Sequence, residues 1–173
     1  MHFVLANQFG ASRPVKRYLA LVRGVPPGTE FEVDARLAPH PLKPGLMKVD
    51  PKKGKRSHTR FRLKERFAGY SLLECFPTTG RTHQIRVHLR HARLPLLGDP
   101  LYGGGNLRLS QLKPDFHLKE NRTERPLIGS TALHAESLEV EHPVQGTPVG
   151  IIAPWPKDLI VAVKYLRRFA PAA

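Results

Sequence analysis

Pro77-Thr78-Thr79-Gly80-Arg81-Thr82-His83-Gln84-Ile85-Arg86-Val87-His88-Leu89, with Leu97-Gly98-Asp99-Pro100-Leu101-Tyr102-Gly103 shortly after it, is the stretch whose reading decides the fold. Thr78, Thr79 and Gly80 make a polar turn, and Thr82 is placed to cap a helix that follows. With residues 82–91 helical, Ile85, Leu89 and Ala92 share one face at i, i+4 and i+7 and pack inward. Arg86 then sits about 100° round from Ile85, where its guanidinium reaches the rim of a pocket. A planar, permanently charged fork on the first turns of a helix suits a bidentate grip on carboxylate or phosphate.

Upstream, residues 15–22 alternate, with Tyr18, Ala20 and Val22 on one face and Leu19 and Leu21 on the other. Two largely apolar faces predict a central strand. Phe31, Val33 and Ala35 alternate into a second strand, and the prolines of residues 39–45 mark a loop. Residues 47–66 are the most basic region of the chain: Lys48, Lys52, Lys53, Lys55, Arg56, Arg60, Arg62, Lys64 and Arg66 face only Asp50 and Glu65. Residues 51–54 read as a hairpin tip between two strands, with its lysines in solvent. Thr59, Phe61, Leu63 and Phe67 belong to the next strand, and Gly69 turns the chain into a strand at residues 70–76. The spacing predicts an antiparallel meander feeding the opening stretch.

Downstream, residues 106–129 are polar and without pattern, a long loop or excursion of the kind that is functional or mobile. Leu133, Ala135, Leu138 and Val140 mark a strand, and Val149, Ile151 and Ile152 another. Leu159, Ala162, Val163 and Leu166 give residues 158–169 a helical period, with Arg167 and Arg168 favouring its C-terminal dipole. At the other end, Phe3, Leu5, Ala6 and Phe9 suit the last turns of an amphipathic helix.

A length of 173 residues suits one domain with its own core. Lysine and arginine number 28 against 14 acids, a net charge of +14, which predicts a polyanionic partner, RNA or DNA before membrane. The one cysteine, Cys75, excludes an internal disulfide; it reads as a buried thiol in a reducing, cytoplasmic setting. No apolar run is long enough for a membrane helix, and residues 1–6 lack the charge and length of a signal peptide. His83, His88 and His91 do not make a metal site, because His83 and His88 face different sides of a helix and no Cys or acid completes a set.

The two opening motifs, in this order and with a short Leu-rich spacer, resemble the signature of the RluA-type pseudouridine synthases. Arg17-Tyr18-Leu19-Ala20-Leu21-Val22-Arg23-Gly24 is similar to that family's tyrosine-bearing strand. Gly54-Lys55-Arg56-Ser57-His58-Thr59 is similar to its Gly-Lys-x-Ala/Ser-x-Thr element, and Leu133-His134-Ala135 with Pro154 to its closing segment. The likeness runs from about Leu5 to Asp158. It implies an α+β fold, a mixed and mainly antiparallel sheet with flanking helices, and a single partial catalytic domain over residues 1–173. The implied activity is isomerisation of uridine to pseudouridine in structured ribosomal or transfer RNA, with no metal or organic cofactor.

The resemblance assigns Tyr18 to the base, near the C5 proton, and Arg86 to the catalytic carboxylate. That carboxylate is the aspartate of a His-Arg-Leu-Asp motif, which these 173 residues do not contain. Met1 to Phe9 resemble the helix that follows the motif, so the chain reads as the second half of a catalytic domain, its first half lying upstream or in another polypeptide. Arg86 is then left with an RNA phosphate or Asp99 as partner, and the family's aspartate at the Asp99 position is structural. Lys16, Arg17, Lys52, Lys53, Lys55, Arg56, Arg60, Arg81 and Arg90 form the expected phosphate footprint, with His83 lining the RNA surface. The rival reading is a non-catalytic RNA-binding remnant, favoured by the missing aspartate.

Overall fold

One strand divides the molecule into two packed layers. In a computed structural model that describes residues 2–11 and 14–172, β1 (Val15–Arg23) runs through the middle of a six-stranded sheet. It is flanked by β6 (Tyr70–Pro77) and β7 (Leu133–Glu141), both antiparallel to it. Outward from β6 lie β5 (His58–Phe67) and β2 (Glu30–Asp34), and outward from β7 lies β8 (Pro148–Ile152). All these pairings are antiparallel, and with the helices below they make the α+β fold that the resemblance implied.

Alternation along β1 sends its side chains to two cores. Leu19 and Leu21 join Leu72 beneath α4 (Lys157–Phe169), whose Leu159, Ala162, Val163 and Leu166 form the inward stripe. Ala20 and Val22 join Phe61, Leu73 and Cys75 beneath α2 (Gln84–His91), which contributes Ile85 and Leu89. Cys75 is fully buried, and burial pushes its thiol pKa well up, so it packs as a small hydrophobe. α1 (His2–Gly10) is fastened to the end of β7 by Gln8, whose side-chain amide donates to the Glu141 carbonyl at 2.8 Å and accepts the Glu141 N–H at 3.0 Å.

Three expectations need correction. The turn at residues 50–54 does not close a hairpin. β4 (Met47–Val49) pairs instead with β3 (Leu37–Pro39) in a separate two-stranded sheet, and the turn leads from that sheet to the large one. Asp50 shapes it by accepting the N–H groups of Lys52 and Lys53 at 3.1 and 2.9 Å, an Asx turn that leaves both lysines exposed. Residues 106–129 are not a free loop. Leu107, Leu112 and Ile128 are buried in the α4 core, and a short helix, α3 (Leu109–Leu112), is pinned where Glu124 accepts the N–H and hydroxyl of Ser110. Thr82 does not cap α2; the helix starts at Gln84, after His83 in the left-handed conformation with φ 53°.

Candidate functional site

The C-terminal end of β6, the start of β1 and the first turn of α2 enclose a cavity of about 250 Å³. Tyr18 and Lys16 enter from β1, Pro77 from β6, Leu133 from β7, and Arg81, His83, Ile85 and Arg86 from α2 and the turn before it. Tyr18 reaches it because it shares a face with Ala20 and Val22, while Lys16 lies two residues earlier on the same face. Ile85, Pro77 and Leu133 supply apolar wall, Tyr18 a half-buried phenol, and Lys16, Arg81 and Arg86 positive charge. Burial lowers the pKa of Lys16. Its ammonium lies beside Gly80, where an added Cβ would meet Nζ at 3.9 Å.

Gln84 builds the turn under this cavity. It is 4% exposed, yet its amide is fully used. Oε1 accepts the Thr79 hydroxyl at 2.7 Å and the Arg81 N–H at 3.0 Å, and Nε2 donates to the His58 carbonyl at 2.9 Å and Thr59 Oγ1 at 3.0 Å. It thereby ties down the Arg81 N–H in the turn ahead of α2, whose own N-cap, His83, makes no side-chain capping bond. Thr59 in turn binds His88 Nδ1 at 2.9 Å, and burial draws the pKa of His88 down to about 4.

Arg86 does not stand free in the cavity. Its Nε donates to Asp99 Oδ2 at 2.8 Å and its Nη2 to Oδ1 at 2.7 Å, while its guanidinium carbon lies 4.7 Å from the centre of the Tyr102 ring. The hydrogen bonds to Asp99 raise its pKa further. Asp99 is completely buried and both its oxygens are engaged, so it is in no position to attack a sugar carbon. Of the two partners open to Arg86, the protein therefore supplies the carboxylate.

Tyr102 ties the site to the small sheet. Its hydroxyl accepts the Met47 N–H at 3.0 Å and lies 2.8 Å from His83 Nδ1. The phenol is 2% exposed, so its own proton needs a buried acceptor. His83 Nδ1 is the acceptor within reach, which puts the imidazole proton on Nε2. Burial and the Arg86 charge lower the pKa of His83 and favour that neutral ring.

The expected phosphate footprint splits between the two faces of the sheet. Lys16, Arg81 and His83 line the cavity, and Arg90 is exposed farther along α2. Arg56 lies beside them, its carbonyl accepting Arg81 Nε at 3.4 Å, and Lys52, Lys53 and Lys55 are exposed on the same turn. Arg17 and Arg60 are on the opposite face. Arg17 Nε approaches Glu136 Oε2 at 2.9 Å with its N–H out of line, and Arg60 lies over the Phe76 ring at 5.0 Å. There too is Glu74, 3% exposed, held by Arg62 at 2.6 Å and Lys64 at 3.2 Å. Burial raises the Glu74 pKa, but these two cations outweigh it and hold the carboxyl below its ordinary range. Gln84, Tyr102 and Glu74 were not singled out by sequence reasoning; a polar residue at a position whose neighbours in the strand or helix are buried was the available signal.

No group of three His, Cys, Asp or Glu is arranged to hold a metal ion among the described residues. Nor is any of their helices long and apolar enough to cross a membrane.

A tyrosine from the sheet and arginines from α2 and the turn before it thus meet around one cavity with an apolar wall. Comparison with known proteins gives the chain its family. The profile described as RNA pseudouridylate synthase matches residues 1–91, and the chain belongs to that family. It is 42% identical over 165 residues to the ribosomal large subunit pseudouridine synthase D of Xanthomonas campestris, a match covering 94% of this chain and 47% of that protein. The chain thus spans about half the length of the curated relatives it matches. The structure of human RNA pseudouridylate synthase domain containing 1 superposes with a TM-score of 0.66 at 27% identity, covering 89% of this chain and 60% of that one. For human RNA pseudouridylate synthase domain containing 4 the TM-score is 0.71 over 94% of this chain and 66% of that one, at 23% identity, a likeness of fold.

Proposed function

We propose that this chain forms the base-binding and RNA-holding portion of a pseudouridine synthase acting on uridine in structured ribosomal or transfer RNA, in the cytoplasm. The observation that carries the reading is the convergence of Tyr18 and Arg86 on one cavity with an apolar wall and a basic rim. Pseudouridine forms when the bond from C1′ to N1 breaks, the uracil turns, C5 bonds to C1′, the C5 proton leaves and N1 takes up a proton. The uridine must first be flipped out of its stack, at a cost of a few kcal/mol. Ile85, Pro77 and Leu133 receive the flat base, and Lys16 and Arg81 receive its phosphates. The Tyr18 phenol stands where a base edge is presented, the position from which a proton at C5 is handled. Among the described residues no acid lines the cavity, so these residues account for holding the base and moving the proton, and not for attack on the sugar.

Two measurements on the same RNA test this. A ribosomal RNA fragment carrying 4-thiouridine is irradiated with the protein, and crosslinks are expected at Tyr18 or within residues 77–86. With the carboxylate that attacks the sugar supplied by the His-Arg-Leu-Asp half, tritium release from uridine labelled at C5 reports the chemistry; it falls about 10²-fold or more in Tyr18→Phe with gel-shift affinity nearly unchanged. Crosslinks confined to the opposite face of the sheet would overturn the reading. RNA binding without any release would restrict it to holding.

A further inference from the structure

A second cavity, of about 440 Å³, lies between α2 and the β3–β4 sheet. We propose that it takes a neighbouring nucleotide of the same RNA, its base against Met47 and Val49 and its phosphate against Arg90 and Arg93. This rests on the RNA-holding reading above and adds a site to it.

The walls have the right chemistry. Half-buried Met47 and Val49 offer an apolar floor over the buried Val87 and Tyr102 ring, and cationic side chains surround it without a carboxylate among the lining residues. Lys48 is neutralised by Asp50 at 3.1 Å, whereas no ion pair engages Arg90 or Arg93 among the described residues. Both are exposed, and an unpaired guanidinium beside an apolar floor suits a phosphate with a base packed next to it. Arg93 is held at φ 61° just past the end of α2 and lines the cavity instead of extending the helix. The volume falls within the range usual for pockets that take small ligands, about 300–1,000 Å³.

The position is equally suited. Arg86 serves the first cavity and Arg90 the second, one helical turn apart on α2. Four residues of helix rise about 6 Å, within reach of the next nucleotide along a strand. Tyr102 stands between the two, its hydroxyl shared by Met47 on one side and His83 on the other. A strand whose uridine is turned into the first cavity leaves the adjoining base unstacked, and an apolar-floored pocket offers it new cover.

The sequence provides a direct reporter, because the chain has two methionines, Met1 and Met47. With methyl-¹³C methionine, the Met47 signal is followed while a six-nucleotide oligoadenylate, inorganic phosphate or an oligoglutamate is added. The oligoadenylate should shift the Met47 methyl in a saturable way, and Arg90→Ala with Arg93→Ala should weaken that effect about tenfold or more while the unbound spectrum stays native. Phosphate alone or oligoglutamate producing an equal shift would overturn the proposal, the latter in favour of an acidic protein partner. An unmoved Met47 would overturn it as well. If gel shifts still show the oligoadenylate bound, the second cavity alone has failed; if they show none, the RNA-holding reading has failed with it. The probe contains no uridine, so the outcome is independent of isomerisation.

Discussion

Arg86 and Asp99 meet through two parallel hydrogen bonds, 2.8 and 2.7 Å, with the carboxylate fully buried and the guanidinium side chain 16% exposed. Thirteen residues apart, they lock the first turn of α2 to the turn that begins at Pro100. Asp99→Asn keeps the volume but strands a charge, and removing one partner of a buried pair destabilises by about 3–5 kcal/mol. Urea unfolding should show a loss of that order. The double variant Arg86→Met, Asp99→Asn should recover a substantial fraction of it, because no unpaired charge is left behind.

His88 makes stability depend on pH. Its ring is buried and its pKa in the fold is about 4, against an ordinary 6.5. The unfolded chain therefore takes up this proton first as pH falls. The contribution is present above about pH 6.5 and is lost progressively down to about pH 4; at about 1.4 kcal/mol per pH unit it is on the order of 3 kcal/mol. Comparing unfolding free energies at pH 7 and pH 4.5, the difference should be clearly smaller in His88→Gln than in the parent chain.

Gly104 is required by space alone. A Cβ there would overlap the Leu96 carbonyl oxygen and lie 2.8 Å from its carbon. Gly10, in α1, has nothing within 4 Å of the same atom. Gly104→Ala should cost several kcal/mol, on the order of the larger core lesions, or abolish folding. Gly10→Ala should be neutral or slightly stabilising. Thermal melts of the two proteins separate these outcomes.

Salt dependence distinguishes the faces of the sheet. The Lys52, Lys53 and Lys55 side chains are exposed on the turn that leads to Arg56, whose carbonyl accepts from Arg81 of the first cavity, whereas Arg60 is on the far face. Replacing the three lysines by glutamine should lower the slope of log affinity for RNA against log salt by up to about 0.7–0.9 per lost phosphate contact. Arg60→Gln should leave the slope unchanged.

What the sequence made legible was local or periodic. The alternation around Tyr18 placed β1 at the centre, and the apolar spacing of Ile85 and Leu89 set the inward face of α2. Leu159, Ala162, Val163 and Leu166 did the same for α4. What stayed hidden depends on partners distant along the chain. Nothing near Met47 says that its strand pairs with β3 and not with β5, since pairing register is decided across loops. The basic run likewise concealed that Arg62 and Lys64 converge on Glu74, because a carboxylate one strand away does not show in composition. The excursion at residues 106–129 looked structureless because its buried residues, Leu107, Leu112 and Ile128, are too far apart to form a period. Arg86 and Tyr18 were found by family likeness, but the carboxylate holding Arg86 became definite only with the bidentate geometry.

The Gln84 amide has a direction, and the turn beneath the first cavity inherits it. One end only accepts and the other only gives, and each end meets two partners of the opposite kind. A glutamate of the same shape would present two acceptors to groups of which half need a donor, so the joint is keyed and closes in a single orientation. The cavity floor therefore has a handedness of polarity as well as of shape. A designer wishing to re-aim Arg81 would have to reverse the whole four-membered arrangement and not a single bond.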